Sequence, residues 1–248
     1  MPISTLETDA WLGGVLGRDA FRLSFSAGDK RLVPASKPPP TCEAVFIYTK
    51  VDVNAHENVR LLLNLGFTLV DTNITFEKKL QSKHDLGSET QSIRLARAQD
   101  VEQVVKLAKV SFRKSRFHND SLISTAVADR LKGEWVRNFF LGARGDAMVV
   151  AESADGIAGF LLLLKNKEAL TIDLVAVDEA HRGKGLAAAM TRFSEKTFPQ
   201  PTLVRVGTQI GNAPAIQAYQ KQGFTLVQSQ YIFHYHGAMP TSFLEAHS

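Results

Sequence analysis

The sequence predicts an α/β protein built in two parts, and three observations carry that reading. From Ile93 onward, strand-like apolar runs alternate with helical patterns. One of these strands, Leu170 to Val177, runs straight into a turn holding Arg182, Gly183, Lys184 and Gly185, and a helix follows at once. Finally, Gly66-Phe-Thr-Leu-Val70 recurs verbatim as Gly223-Phe-Thr-Leu-Val227. Each copy follows a short helix pattern and precedes an extended stretch ending in Phe76-Glu or Phe233-His, which reads as an internal duplication.

Residues 1–80 form the smaller half, with a helix pattern from Asn58 to Leu65 before the first repeat glycine. Gln81 to Ser92 is polar and without periodicity, so it reads as a linker. Ile93-Arg-Leu95 begins a strand, and Val101, Val104, Val105, Ala108 and Phe112 mark one face of a helix with Asp100 at its N-terminus. Leu122 to Phe140 is a second helical stretch. Met148–Ala151, Ile157–Lys165 and Leu170–Val177 then supply three strands. In the helix after the glycine turn, Leu186, Ala187, Met190 and Phe193 recur at helical spacing, and Pro199 closes it. Thr202 to Thr208 alternates as a strand. Gly211-Asn212 turns the chain, Asn212 caps a helix that tolerates Pro214 in its first turn, and Gly223 sits just past the helix end. The larger half is expected to span 93–237, with residues 238–248 as a tail.

Composition excludes several classes. With 248 residues and 44% hydrophobic content, the chain can bury one large core or two small ones. The longest apolar run, Ile157 to Leu164, is far short of the roughly 20 residues a membrane span needs. The N-terminus lacks a charged region followed by an apolar one, so no signal peptide is expected. A single cysteine, Cys42, excludes an internal disulfide framework and fits a reducing cytoplasm; without Cys or His partners at ligand spacing, no metal site is expected. The net charge of +4 suits a polyanionic ligand, but the basic residues are dispersed, so nucleic acid is not an expected partner. Glycines at the 182–185 turn allow backbone N–H groups to approach an anion, and the helix start adds unpaired donors and partial positive charge.

Arg-x-x-Gly-x-Ala after a strand, followed by Asn-x-x-Ala-x-x-x-Tyr-x-x-x-Gly-Phe from Asn212, resembles the two signature segments of the GNAT N-acetyltransferases. The resemblance implies a GNAT fold, a mixed and mostly antiparallel sheet with flanking helices, preceded here by a degenerate GNAT-like N-terminal half. No counterpart of the Arg-Gly-Lys-Gly loop precedes residue 54, where Ser36-Lys-Pro-Pro-Pro40 occupies part of the region, and Leu62 stands where the second copy has Tyr219. The resemblance also implies acetyl-CoA as donor. Leu174, Val175, Ala176 and Val177 would pair with its pantetheine amides. Arg182, Gly183, Lys184, Gly185, Leu186 and Ala187 would hold its pyrophosphate, with Lys184 as readily a solvated lysine, and Asn212 would meet the pantetheine arm. Tyr219 would be the general acid to the departing sulfur; its alternative is a buried aromatic on the helix. Asp173 is the candidate base, with a loop-orienting role as its equal, and deprotonation through water remains an option.

Phe112 to Asp120 lies where GNAT proteins form the acceptor-side wall. Arg116, Phe117, His118 and Asp120 suit a polar ring bearing phosphates, although a solvated helix end with one buried aromatic explains the same composition. Ser-Arg-Phe, with Arg205 to Asn212 and Tyr219, resembles the bacterial dTDP-fucosamine acetyltransferases, which acetylate a dTDP-linked 4-amino-4,6-dideoxyhexose. That likeness implies a small-molecule amine as partner and adds Thr208 and Gln209 as acceptor or coenzyme contacts. Another amine substrate, or a non-catalytic coenzyme-binding role, stays open, as does a homodimer formed through the N-terminal half.

Overall fold

The computed structural model describes residues 5–25, 44–80 and 92–240. Cys42, the Ser36–Pro40 run, linker residues 81–91 and the tail from 241 lie outside the described residues. In chain order the elements begin with β1 (Thr5–Thr8), α1 (Ala10–Leu16), β2 (Ala20–Ser24), β3 (Val45–Asp52), α2 (His56–Asn64) and β4 (Thr68–Lys79). Then come β5 (Ser92–Leu95), α3 (Val101–Ser111), α4 (Thr125–Phe140), β6 (Ala147–Ser153), β7 (Gly156–Lys165) and β8 (Ala169–Val177). The chain closes with α5 (Leu186–Thr197), β9 (Leu203–Gln209), α6 (Ala213–Lys221) and β10 (Thr225–Gly237). Among the described residues, no helix is long and apolar enough to cross a membrane.

The chain divides into two compact units, and they interleave along the sequence. The first gathers Met1–Asn73, Arg116–Val127 and Gln228–Ser248; the second gathers Ile74–Ser115 and Ala128–Val227. The division therefore departs from the expected chain-order boundary at the 81–92 linker. The repeat supplies the physical reason. After each repeat glycine, at φ +83° for Gly66 and +84° for Gly223, the chain enters a long strand. The second half of β4 belongs to the unit built mainly from the C-terminal half, where Glu77 pairs with Arg205 and Leu80 N–H donates to Thr202 C=O. Conversely, β10 pairs antiparallel with β3 over Gln230–Gly237 and Val45–Asp52. The strand that ends each half thus pairs within the unit dominated by the other.

In the first unit, β1 and β2 are antiparallel, and β2 runs parallel to β3. Asp9 caps α1 by accepting the Leu12 N–H at 3.0 Å, and Gly17, at φ +71°, ends the helix. Phe21, Leu23, Val45, Ile47, Leu62, Phe67 and Phe233 form its core.

The second unit has the mixed, mostly antiparallel sheet expected from the sequence. β5, β6, β7 and β8 are antiparallel neighbours, and β8 runs parallel to β9. Both faces of β7 are covered, which is why its sequence reads as a continuous apolar run. Phe160 and Leu162 pack with Val104, Val105 and Ala108 of α3; Leu161 and Leu163 pack with Leu186 and Met190 of α5. The edge next to β5 is fastened electrostatically. Arg94 forks onto buried Asp100 at 2.7 and 2.9 Å and reaches Glu152 with Nε at 2.9 Å. Hydrogen bonds from Arg94 hold the Asp100 carboxyl below the ordinary carboxylate range. Replacing Arg94 by Met leaves Asp100 buried and stripped of its charge partner. The expected loss is about 3 kcal/mol of unfolding free energy, read by urea denaturation; a loss below about 1 kcal/mol, the range of an exposed pair, would show the network to be inert.

Candidate functional site

The site begins with a fault in β8. Along β7, Leu162 faces Leu174 and Leu163 faces Ile172, so Asp173 is an extra residue, a bulge. The parallel pairing with β9 runs from Ala169–Leu203 to Ile172–Val206 and stops at that point, although β9 continues to Gln209. Past the bulge, Leu174, Val175, Ala176 and Val177 keep β7 on one side and have no strand on the other among the described residues. Leu174 and Ala176 are buried and anchor the strand through their side chains. Their open N–H and C=O groups match an extended amide chain, which would add to this edge as a strand does.

The glycine turn comes immediately after this strand. Asp178 caps a short 3-10 turn by accepting the Ala180 N–H, and Arg182 Nε donates to Val177 C=O at 3.2 Å. Gly183 and Gly185 both take positive φ, +76° and +77°, which a side chain would strain. Arg182, Gly183, Lys184 and Gly185 are all exposed. A Cβ at either glycine would meet nothing within 4 Å, so a ligand has room to reach the backbone. α5 starts from Gly185 with no side-chain cap, leaving the first N–H groups at Leu186 and Ala187 without side-chain acceptors. Positive φ, open space and uncapped donors together suit a pyrophosphate.

Asn212 and Tyr219 stand at the start and on the buried face of α6 in the same unit. Asn212 caps α6 through Ala215 N–H and donates from Nδ2 to Thr208 Oγ1 at 3.1 Å. Thr208 is buried, and Gln209 is half-buried at the end of β9, its carbonyl accepting the Asn212 N–H. Tyr219 is 7% exposed, its ring 5.9 Å from Phe76 and 5.7 Å from Phe224. Burial pushes its hydroxyl well above the ordinary phenol range, so it stays protonated at neutral pH and beyond.

Asp173 is already engaged. Arg144 forks onto it, Nε to Oδ2 at 2.8 Å and Nη2 to Oδ1 at 2.7 Å, and Trp135 Nε1 donates to Oδ2 at 2.9 Å. A carboxylate committed on both oxygens orients its partners more readily than it takes a proton from an amine.

The expected acceptor-wall residues belong to the first unit, where they join a chain of charges. Arg18 Nη2 donates to His236 Nδ1 at 2.7 Å, and His236 Nε2 and His234 Nδ1 meet Asp120 Oδ2 at 2.7 and 2.6 Å. Arg116 reaches His234 Nε2 at 3.5 Å and lies between Tyr48 and Phe117, 4.3 and 4.4 Å from their ring centres. Tyr48 donates to Asp9 at 2.9 Å. Phe117 is buried and His118 half-buried. Arg116, Phe117 and Asp120 are therefore held within this internal network. Asp120, His234 and His236 also form the donor set of a metal centre, with ligand atoms within 4.8 Å of one another. The tautomers oppose that use. An arginine can only donate, so His236 Nδ1 accepts and Nε2 carries the proton facing Asp120; metal binding at Nε2 would place an N–H against the guanidinium.

Sequence reasoning missed Arg144, Trp135, His234 and His236. For the two histidines a signal existed, since His234-x-His236 on a strand puts both on one face. None existed for Arg144.

With this geometry in place, the comparisons can be set beside it. Residues 112–224, a little under half of the chain, match the Acetyltransferase (GNAT) family. The spore coat polysaccharide biosynthesis protein SpsD of Bacillus subtilis is 33% identical over 137 residues, 54% of this chain and 47% of that protein. The chain thus spans under half the length of that relative. The dTDP-fucosamine acetyltransferase of Escherichia coli O6:H1 is 23% identical over 234 residues, 93% of this chain and 98% of that enzyme. A tandem GNAT protein from the clavulanic acid biosynthesis pathway shares the fold at 12% identity and TM-score 0.57, covering 89% of this chain and 76% of that one.

The glycine turn and the histidine network each lead to an expected outcome. Gly185→Val forces a branched residue to φ +77° and fills the space above the uncapped donors, so acetyl-CoA affinity should fall at least about tenfold by calorimetry; wild-type affinity would remove this turn from the coenzyme site. The second outcome concerns pH. Burial lowers the His234 imidazole to about 4, against its hydrogen bond to the Asp120 carboxylate, which favours the charged form. The unfolded chain takes up this proton first, so stability falls with pH between about 6.5 and 4, by up to roughly 3 kcal/mol. Burial by itself would raise the Asp120 carboxyl, but its hydrogen bonds to His234 and His236 outweigh that and hold it low, extending the loss below pH 4. Thermal melts from pH 7.5 to 4 should show the decline, and His234→Gln should flatten it; a parallel decline in both proteins would clear His234.

Proposed function

We propose that this protein transfers the acetyl group of acetyl-CoA to the amino group of a nucleotide-linked aminosugar. The open edge of β8 running into the uncapped glycine turn carries the donor half of this reading. The acceptor half is supported by two relatives whose names place them in dTDP-fucosamine acetylation and polysaccharide synthesis. A cytoplasmic setting belongs to the same proposal.

Acetyl-CoA supplies an activated thioester. Leu174 to Val177 align its amides and present a backbone N–H to the carbonyl oxygen, and the 182–187 turn holds the pyrophosphate. The neutral amine attacks the carbonyl carbon, the C–S bond breaks, and the sulfur takes the Tyr219 proton. Water receives the amine's proton, since Asp173 is engaged by Arg144 and Trp135, and solvent then reprotonates Tyr219. Buried and protonated, Tyr219 is suited to give up its proton only as negative charge develops on sulfur. Asn212 holds the start of α6, and hence Tyr219, in register through its cap.

Thiol release measured across dTDP-4-amino-dideoxyhexoses, polyamines, aminoglycosides and peptides tests the acceptor. Turnover confined to the dTDP-aminosugars is expected; turnover with peptides or polyamines alone would replace the acceptor and keep the donor. Tyr219→Phe retains the packing against Phe76 and Phe224, so kcat should drop roughly 10- to 1000-fold with acetyl-CoA affinity unchanged. Undiminished turnover, with chemistry rate-limiting, would take the acid's role from Tyr219.

A further inference from the structure

A cleft of about 350 Å³ lies in the second unit between the end of α3 and the turn that follows β8. Leu107, Val110 and Ser111 of α3 and Arg113 just past it line one side; Asp178, Glu179 and Arg182 line the other. Leu107 packs in the same core as Leu174 and Ala176, the residues that anchor the open edge of β8. Val110, by contrast, keeps 50% of its surface exposed.

The Ser111 hydroxyl is left over. A serine or threonine within a helix can donate to the carbonyl four residues back, as Thr191, Ser194 and Thr197 all do on α5. Ser111 does not: its Oγ is buried and has no hydrogen-bond partner among the described residues. A buried polar atom left unpaired is costly, and one that lines a cleft can be paired by what enters it.

The charged groups of the cleft do not favour an anion. Arg113 pairs with Asp129 at 3.3 Å, and Arg182 donates from Nε to Val177 C=O at 3.2 Å. Asp178 accepts the Ala180 N–H, and Glu179 adds a second, exposed carboxylate. Two guanidinium groups facing two carboxylates offer a phosphate no net attraction. What remains is an apolar surface beside a hydroxyl, which suits a neutral group of the same make-up.

Position narrows the choice. Asp178 and Glu179 directly follow Val177, the last residue of the open edge, and Arg182 begins the glycine turn. In the reading above, that edge takes the amides of acetyl-CoA and that turn takes its pyrophosphate. The part of the coenzyme that joins the two is the pantoate, a carbon bearing two methyl groups beside a carbon bearing a hydroxyl. We propose that this cleft holds the pantoate of acetyl-CoA, its methyl groups against Leu107 and Val110 and its hydroxyl bonded to Ser111. The inference rests on the acetyl-CoA reading and makes the end of α3 a donor contact.

The test is calorimetric titration of the full chain with acetyl-CoA and with its analogue in which hydrogen replaces the pantoate hydroxyl. Wild-type protein should prefer acetyl-CoA about fivefold, and Ser111→Ala should bind the two alike. S111A should also melt no lower than wild type, because it removes an unpaired buried atom; a serine with a merely structural role would lower the melt and weaken both ligands equally. A preference reduced more than about twofold by S111A supports the proposal; a smaller reduction, or a wild type that does not discriminate, overturns it. Should S111A fail to fold, Val110→Lys decides, since the half-exposed position tolerates the change. Acetyl-CoA affinity weakened more than about twofold by V110K supports the proposal, and a smaller loss overturns it. Wild-type protein that binds no acetyl-CoA would overturn the coenzyme reading and this inference together. Binding that Gly185→Val weakens, with the preference untouched by Ser111→Ala, would overturn the inference alone.

Discussion

The extra residue at Asp173 is the constraint on which the second unit's chemistry depends. A strand shared by two neighbours spends all of its backbone groups on them. By inserting one residue, β8 keeps its ladder with β7 and gives up β9 after Ile172. The groups released at Leu174 to Val177 must find partners in water or in a ligand, because backbone polar groups are costly to leave bare. Buried Leu174 and Ala176 keep the strand in place while its edge stays open. The next residues of the chain exploit that opening: the strand ends, two glycines turn the backbone through positive φ, and α5 starts uncapped. Asp173, at the bulge, meets Trp135 of α4 and Arg144 in the loop that follows it.

The first unit answers a different problem, that of burying charge. Arg18, His236, Asp120, His234 and Arg116 alternate donor and acceptor so that one carboxylate serves two neutral imidazoles, each meeting an arginine. The network joins segments far apart in sequence, Arg18 before β2, Asp120 after α3 and the histidines on β10. Removing any member leaves a buried polar group without its partner, which makes the network a determinant of folding more than of specificity.

How much of this was legible in the sequence depended on how local the cause was. The glycine turn after β8 could be read because strand, glycines and helix are contiguous, and the place of Tyr219 on α6 because it holds a fixed interval to Asn212 and Gly223. The buried strand β7 was plain from its unbroken apolar run. Asp173 could be singled out but not assigned, since its partners Arg144 and Trp135 lie 29 and 38 residues away and carry no spacing signal. Arg116 and Asp120 suggested a phosphate-binding wall by composition. Their use is set by His234 and His236, more than 110 residues downstream. The repeat at Gly66 and Gly223 revealed that the two halves are related. It could not reveal that their terminal strands pair across them, because strand partnership is a tertiary choice.

Backbone hydrogen exchange of the full chain, with and without acetyl-CoA, tests the central claim most directly. If β8 leaves β9 at Asp173 so that a ligand can pair with its edge, amides within Leu174–Val177 that face the opening exchange quickly in the free protein and are protected by acetyl-CoA, as are those of Gly185 to Ala187. Amides of β8 before the bulge should be protected in both states. Unchanged exchange at Leu174–Val177 on saturation with acetyl-CoA would mean that the open edge is not where the coenzyme binds.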